Sequence, residues 1–268
     1  MAATAAPPRK GMTWIPSGTF RMGSEDFYPE ERPVREVSVD GFWIDVAPVT
    51  VAQFRRFVRA TGWVTFCERD HGDAPPGSLV FHPTPGPVPL DDVRRWWRYV
   101  DGACWHRPEG PGSDTYARAR HPVVHVTPED AEAYAAWAGA ALATAAEFEY
   151  AALGPGQADA HEHVNRWHGE FPWRGYRGTS PVGAFPANGY GLLDTIGNVW
   201  EWTADVYGAG PGGCCAGGGS DELPRRVLKG GSHLCAPNYC HRYRPAALQG
   251  EAIDTSTSHI GFRCVVRP

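Results

Sequence analysis

The chain has 268 residues, with a formal net charge of −5 at pH 7 and 12% aromatic residues. This charge argues against nucleic acid as a partner, because binding to nucleic acid needs a basic face. No window approaches the roughly 18 apolar residues of a transmembrane helix, and residues 1–11 lack the apolar centre of a signal peptide. We therefore expect a cytoplasmic protein that has no membrane partner.

The composition also bears on the fold. Gly (32 residues) and Pro (25 residues) are abundant, which favours turns and irregular loops, whereas 11 Trp, 10 Tyr and 11 Phe supply a core that a disordered chain lacks. We expect a disordered leader at 1–11 and one domain at 12–268. That domain should consist largely of loops held together by aromatic side chains.

The N-terminal part predicts strands followed by a helix. A strand begins near Trp14 and turns at Ser17-Gly18, and the alternating run 34–44 contains an Asp40-Gly41 turn typical of a hairpin. A helix then begins after Thr50, a suitable N-cap, and ends at Gly62.

The rest of the chain predicts two more helices. Residues 70–120 show weak periodicity and are interpreted as a long ordered loop. One helix begins after Thr127 and ends at Gly139, and the next is capped by Thr144 with Glu147 at the capping-box position. From residue 154 onward the chain is interpreted as strands and loops that are punctuated by Gly and Pro.

Two thiols dominate the candidate chemistry. Cys235 and Cys240 are five positions apart and follow a Gly-Gly-Ser turn, and Arg242 and Arg244 nearby would favour thiolates. Two soft ligands are too few for a structural zinc site and suit Cu(I). A structural disulfide, or two buried small residues, would give the same spacing. The other five cysteines have no assigned role: Cys67, Cys104, Cys214, Cys215 and Cys264.

Three segments carry a resemblance to a known family. Residues 12–60 (MTWIPSGTFRMGS…), 181–203 (PVGAFPANGYGLLDTIGNVWEWT) and 226–264 (RVLKGGSHLCAPNYCHRYR…GFRC) resemble the formylglycine-generating enzymes, the sulfatase-modifying factor family. The resemblance implies an irregular C-type-lectin-like α+β fold with little regular secondary structure. It also implies that Cys235 and Cys240 hold Cu(I), and that O2 is used to oxidise a cysteine. That cysteine would lie in a Cys-x-Pro-x-Arg motif of an unfolded sulfatase and would become Cα-formylglycine.

The resemblance further implies structural Ca²⁺. One site falls on Asp194, Gly197, Val199 and Glu201, where two carboxylates and backbone carbonyls offer hard oxygen ligands. A second site matches at Asn165, Arg166 and Tyr176. Arg174 stands there in a shortened loop in place of an acidic ligand, so we expect weak or absent calcium at the second site.

The substrate is expected to bind as an extended strand in a groove beside the cysteine pair. Loops at 63–120 and 233–243 would line this groove, with Trp105 as the best candidate for its wall. Ser232, Tyr239 and Arg242 are further candidates to shape the pocket. Each of these four residues could instead have an ordinary structural role, in the core, in a turn or at the surface.

Two other functions compete with the oxidase. A non-catalytic binding module on the same lectin-like fold would not need the cysteine pair. A relative that uses non-haem iron, as the sulfoxide synthases do, would need an additional helical domain, for which this chain has no room.

Overall fold

The computed structural model describes residues 6–72, 74–84, 92–155, 164–166, 176, 178–208, 223–236 and 240–268. Within them lie the helices α1 (Val51–Thr61), α2 (Pro128–Trp137) and α3 (Ala145–Leu153). The first six strands are β1 (Met12–Ile15), β2 (Gly18–Met22), β3 (Arg35–Val39), β4 (Phe42–Asp45), β5 (Gly77–Phe81) and β6 (Trp97–Asp101). The remaining strands are β7 (Ala141–Leu142), β8 (Trp200–Val206), β9 (Arg225–Lys229), β10 (Leu248–Ala252), β11 (Ile260–Gly261) and β12 (Cys264–Val266).

The two larger sheets join distant parts of the chain. One has the strand order β1-β4-β12-β7, so the C-terminal strand lies beside an N-terminal strand, with Val265 opposite Ile44. The other has the order β10-β9-β8-β11, and its edge strand β11 runs parallel to β8. Strand β9 of this second sheet ends directly before the segment that contains Cys235. The sheet thereby fixes where that segment leaves the core.

The hairpin predicted at Asp40-Gly41 is wrong. Strand β3 pairs with β2, whereas β4 pairs with β1, so the strands that flank this turn belong to different sheets. A Cβ at Gly41 would lie 2.4 Å from the ring of Trp14, which packs over the turn. The Asp-Gly signal therefore marks the crossing from one sheet to another, and tertiary packing decides the pairing.

The predicted helix starts are confirmed. The Thr50 side chain accepts from the amide of Gln53, whose side chain accepts from the Thr50 amide, and Gly62 ends α1 in the left-handed region. Thr127 and Thr144 cap α2 and α3 with the same reciprocal pattern. None of the helices in the described part of the chain is long and apolar enough to cross a membrane.

The long loop predicted at 70–120 contains a hairpin that the sequence analysis missed. Strands β5 and β6 pair antiparallel, with Leu79 opposite Tyr99. The hairpin is held by the distant C-terminal part: Ser78 Oγ donates to the Ser256 carbonyl at 2.7 Å, and the Leu79 amide donates to the same oxygen. Because these partners lie far along the chain, local periodicity gives little sign of the strands.

Aromatic rings form the centre of the larger core. Phe54 on α1 packs against Trp105, Tyr134 and Phe262, with ring centroids 5.4, 6.0 and 6.4 Å away. Each such buried ring contributes about 1.5–3 kcal/mol. The residues that meet here come from four separate segments, so aromatic packing joins parts of the chain that are distant in sequence.

Part of the predicted disordered leader contacts the domain. Residues 6–11 are among those described, and the Arg9 guanidinium donates to Asp45 Oδ2 at 2.7 Å. The same carboxylate oxygen accepts from the Cys264 amide at 3.0 Å. For these residues the structure differs from the expectation, because a buried carboxylate at the end of β4 needs a cationic partner.

Candidate active site

Two glycines shape the loop that carries the cysteine pair. Gly230 and Gly231 follow β9 with φ of +89° and +73°, values that residues with side chains rarely adopt. A Cβ at Gly231 would lie 2.3 Å from the Arg242 carbonyl oxygen. Glycine therefore lets the segment before Cys235 pack against the segment after Cys240.

Cys235 and Cys240 are free thiols, and each shifts the pKa of the other. Cys235 is buried, with 2% of its surface exposed, and its amide donates to the Ser232 carbonyl at 3.0 Å. Cys240 is half-buried, and its amide donates to the Ala236 carbonyl at 2.9 Å. The predicted pair is thus brought together with one sulfur inside the core and the other nearer the surface.

The two thiols differ in acidity. The hydrogen bond from Cys235, together with backbone hydrogen bonds and the charge of Arg242, lowers the pKa of Cys240 to about 7. The same hydrogen bond and complete burial raise the pKa of Cys235 well above its usual value. The pair therefore begins to lose its first proton near neutral pH, whereas the second proton is held more tightly.

Two acidic residues of the N-terminal part pair with the arginines after Cys240. The Arg244 guanidinium donates to both carboxylate oxygens of Glu31, at 2.9 and 2.6 Å. Arg242 contacts Glu30 at 2.6 Å. We call the segment Phe27–Glu31 the clamp segment, because both ion pairs hold it against the loop after the cysteines.

Aromatic contacts strengthen the same interface. The ring of Phe27 lies 3.5 Å from the Arg244 guanidinium carbon, and the ring of Tyr28 lies 4.1 Å from that of Arg242. The Tyr28 hydroxyl also accepts from the His241 amide at 3.2 Å. The clamp segment carries no signal in the sequence, because no local pattern links residues 27–31 to residues more than 200 positions away.

The other predicted pocket residues have mixed outcomes. Ser232 is buried, and its amide donates to Cys235 Sγ at 3.5 Å. Arg242 is fixed by Glu30 and by the Leu248 carbonyl, to which it donates at 2.8 Å. Tyr239 lies outside the described residues, as do Arg174 and the Cys214-Cys215 pair.

Trp105 is placed in the core. Only 6% of its surface is exposed, and it belongs to the same core cluster as Cys235. Its indole Nε1 is buried and has no hydrogen-bond partner in the described structure. A buried N–H without a partner is costly, and Trp105 Nε1 is one of the few such atoms among the described residues.

The first predicted calcium segment forms a turn that leads into β8. Asp194 and Glu201 are buried, and burial raises the pKa of both carboxyl groups. Both oxygens of Glu201 accept from Arg263, at 2.8 and 2.7 Å, and Asp194 Oδ2 accepts from the Gly183 amide. The negative charge of Asp194 further raises the pKa of Glu201. The positive charge of Arg263 opposes this effect and lowers the pKa of both carboxyl groups.

The second predicted calcium segment packs directly on the first. The carbonyl oxygen of Asn165 accepts from the Asn198 amide at 2.8 Å, and a Cβ at Gly197 would lie 2.5 Å from that oxygen. Asn165 is buried, and its side-chain Oδ1 has no partner in the described structure. Arg166 stacks on the ring of Tyr243 at 4.8 Å, whereas Tyr176 is exposed.

Comparison with known sequences identifies the relatives. The family model described as sulfatase-modifying factor enzyme 1-like domain matches residues 1–268. A formylglycine-generating enzyme of Mycobacterium tuberculosis is 50% identical over 95% of this chain and 97% of its own. A protein of Bos taurus named inactive C-alpha-formylglycine-generating enzyme 2 is 36% identical over 94% of this chain and 87% of its own. Sequence relatives therefore include both active and inactive proteins.

Comparison with solved structures identifies the fold. The structure of PvdO from Pseudomonas aeruginosa matches with a TM-score of 0.66 and 25% identity, over 95% of this chain and 93% of that one. CarF matches with a TM-score of 0.56 and 20% identity, over 96% and 97% of the two chains, a likeness that concerns the fold alone. The predicted irregular, C-type-lectin-like α+β fold is confirmed. The chain belongs to the sulfatase-modifying factor family, which includes the formylglycine-generating enzymes.

Proposed function

We propose that this protein converts the cysteine of a Cys-x-Pro-x-Arg motif in an unfolded sulfatase to Cα-formylglycine, with O2 as oxidant. The observation that supports this most is the contact between two free thiols, Cys235 and Cys240, of which one is buried and the other half-exposed. Identity of 50% to a protein named formylglycine-generating enzyme gives independent support.

Copper is part of the proposal, and the donor set fits it. Two adjacent sulfur atoms suit Cu(I), a soft ion that accepts few ligands. Cys240 has a pKa of about 7, so one ligand becomes a thiolate near neutral pH. We assign Cys235 and Cys240 as the ligands; bound copper would supply the one-electron chemistry with O2 that side chains cannot.

The residues around the pair prepare a protected site. Cys240, nearer the surface, is the side from which a substrate thiol would approach, whereas Cys235 is shielded by the core. The His233 ring is held by a hydrogen bond from Nδ1 to the Asn198 carbonyl at 2.8 Å, and burial lowers its pKa to about 4. The surrounding core keeps water away from Cys235.

The overall reaction balances as an oxidation followed by hydrolysis. Two electrons and two protons leave the substrate Cβ–SH unit for O2, which is reduced to the peroxide level. Water then replaces sulfur in the resulting thioaldehyde, and hydrogen sulfide leaves. Because the substrate sulfur must reach Cys240, we propose that it binds as an extended, unfolded strand, with pockets for its Pro and Arg side chains.

We also propose two structural Ca²⁺ sites. In the first, Asp194 and Glu201 would bind with the carbonyls of Gly197 and Val199, and Glu201 would release at least one of its two hydrogen bonds from Arg263 to do so. In the second, the unpartnered Oδ1 of Asn165 supplies the kind of hard oxygen that calcium prefers. This oxygen favours a second ion, where the sequence predicted weak or absent binding. Arg166 and Tyr176 are the other residues proposed for this site.

The cytoplasmic location and the absence of nucleic-acid and membrane partners remain proposals from the sequence. The competing function is a non-catalytic module, which the inactive bovine relative at 36% identity keeps open. The cysteine pair separates the two functions, because a binding module has no use for a thiol of lowered pKa beside a second thiol.

The test is turnover of a synthetic Cys-x-Pro-x-Arg peptide in the presence of Cu(I) and O2, followed by mass spectrometry of the peptide. We expect the mass loss of a thiol-to-aldehyde conversion, and we expect Cys235→Ala and Cys240→Ala each to abolish both turnover and copper binding. Cys264→Ala, which removes another buried thiol, should retain both. Full copper loading of the double variant Cys235→Ala/Cys240→Ala would contradict the assignment of the ligands.

A further inference from the structure

A second cluster of metal-ligating side chains lies outside the Cys235–Cys240 loop. Glu68, Cys104 and His106 bring a carboxylate oxygen, a thiol and an imidazole nitrogen within 4.8 Å of one another. We propose that these three side chains form a second metal site, for a divalent cation of the zinc type. The proposal does not depend on the oxidase activity.

Two of the three separations between the ligand atoms fit a single ion, and the third is at most 4.8 Å. Cys104 Sγ lies 3.3 Å from His106 Nδ1, and this nitrogen lies 3.6 Å from Glu68 Oε1. Atoms bound to one tetrahedral zinc ion at about 2.0–2.3 Å are separated by roughly 3.3–3.7 Å. The cluster therefore needs only small side-chain movements to bind an ion, and the fourth position stays open for water.

The backbone holds the ligands in place. Cys104 and Arg107 exchange two backbone hydrogen bonds, at 3.1 and 3.0 Å, and this tight turn keeps Cys104 and His106 together. Glu68 Oε2 accepts from the Thr65 hydroxyl at 2.6 Å and from the Thr65 amide at 3.2 Å. Anchoring Oε2 in this capping box directs Oε1 toward the imidazole.

The mixture of ligand types selects the ion. Zinc accepts thiolate, imidazole and carboxylate alike, with three protein ligands and an open position in many sites. A carboxylate is a poor ligand for Cu(I), and a thiol and an imidazole are poor ligands for Mg²⁺ and Ca²⁺. The thiolate and the carboxylate together would balance the two positive charges of the ion.

The positive charges of nearby arginines disfavour a bound cation, but the structure allows the closest of them to move away. Arg107 Nε donates to His106 Nε2 at 3.3 Å, and this weak hydrogen bond must break when Nδ1 binds a metal. The Arg107 side chain is exposed, so it can turn into solvent. Burial, followed by the charges of Arg107 and Arg55, lowers the pKa of His106 and keeps the imidazole in the neutral form that binds metals.

A nucleophilic Cys–His pair is the other chemistry that such side chains could perform. Only 2% of Cys104 is exposed, which leaves no path for a substrate. The cluster therefore favours metal binding.

Such an ion would act on the fold near the active site. It would tie the 3₁₀ helix Phe66–Glu68 to the turn at Cys104, and Trp105 in that turn extends into the core cluster that contains Cys235. We expect the ion to stabilise the region from which Trp105 enters this core cluster.

The test uses the full chain with Cys235→Ser and Cys240→Ser, which removes the other thiol pair, titrated anaerobically with Co²⁺. We expect one tightly bound Co²⁺ per chain, with a thiolate-to-cobalt charge-transfer band that added Zn²⁺ removes. Adding Cys104→Ser should abolish the band. Adding His106→Ala, at a half-exposed position that folding tolerates, should weaken binding by at least about tenfold. The matched control is Cys67→Ser, at a neighbouring buried thiol, which should retain the band.

Three outcomes would overturn the proposal. One is the absence of Co²⁺ binding by the parent protein. Another is a band of equal strength in the Cys104→Ser and His106→Ala variants. The third is a loss in the Cys67→Ser variant as large as that in the Cys104→Ser variant.

Discussion

The Glu31 carboxylate accepts two hydrogen bonds from the guanidinium of Arg244, 213 residues later in the chain. The Glu31 side chain has no exposed surface, and the guanidinium also stacks on Phe27. This buried ion pair closes the clamp segment over the loop that follows Cys240. A charged pair in this position is costly to break, because the remaining charge would lose its partner away from water.

We therefore expect Glu31→Gln to lower the free energy of unfolding by about 3 kcal/mol, since it leaves Arg244 with an uncharged partner. The matched control is Glu30→Gln, whose ion pair with Arg242 is partly exposed and should be worth about 1 kcal/mol or less. Urea unfolding of the two variants measures both values. Equal losses would show that burial does not set the strength of these pairs.

The acidity of Cys240 can be measured directly. Its alkylation rate should rise with pH and reach half its plateau near pH 7, because the thiolate is the reactive form. Removing the hydrogen bond with Cys235→Ala should move this midpoint upward, and Arg242→Gln should move it in the same direction by less. Mass spectrometry of the alkylated peptide gives the midpoint. An unchanged midpoint in Cys235→Ala would contradict the proposed proton sharing.

His125 should make the fold sensitive to acid. It is fully buried, with Nδ1 2.7 Å from Ser78 Oγ and Nε2 2.9 Å from the Pro108 carbonyl, and burial lowers its pKa to about 4. The folded pKa lies below the unfolded value, so the unfolded chain binds a proton first as the pH falls below about 6.5. Stability should fall by about 3 kcal/mol between pH 7 and pH 4 from this residue alone.

The comparison for His125 is the variant His125→Asn, because Asn tolerates the residue's φ of +60°. Its stability should depend less steeply on pH over the same range, whatever its stability at pH 7. The measurement is urea unfolding at several pH values. If the free energy of unfolding depended on pH equally in the parent protein and in His125→Asn, groups other than His125 would cause the acid sensitivity.

Calcium binding can be divided between the two proposed sites. Asp194→Asn should abolish the first ion, and Asn165→Ala should abolish the second, while each leaves the other in place. Elemental analysis after dialysis against calcium buffer should give about one ion per chain for each variant and two for the parent. If the parent protein retained no calcium, both proposed sites would be contradicted. If Asp194→Asn retained both ions, the first site would be contradicted.

Substrate recognition is tested with peptides. A short Cys-x-Pro-x-Arg peptide should be turned over, and replacing its Pro or its Arg by Ala should lower kcat/KM, because both side chains are expected to bind in pockets. A folded sulfatase should be a poor substrate, since its motif is buried. Equal conversion of the folded protein and the peptide would contradict binding as an extended strand.

The sequence by itself determined the local features of this protein. Thr50, Thr127 and Thr144 cap the three helices as predicted, because a capping box depends on residues only three positions apart. The same holds for the proximity of Cys235 and Cys240, which a short loop after two glycines brings together. The family resemblance added the fold, which no local pattern could supply.

Only the tertiary structure decided the features that join distant segments. The Asp40-Gly41 signal predicted a hairpin, but β3 and β4 pair with other strands because the core positions of their side chains, and not the turn, decide the partner. The clamp segment meets Arg242 and Arg244 across more than 200 residues, and Glu68 meets Cys104 and His106 across the β5–β6 hairpin. The sequence around a charged or metal-binding residue does not show which distant residue it will contact. These contacts therefore depend on the tertiary structure.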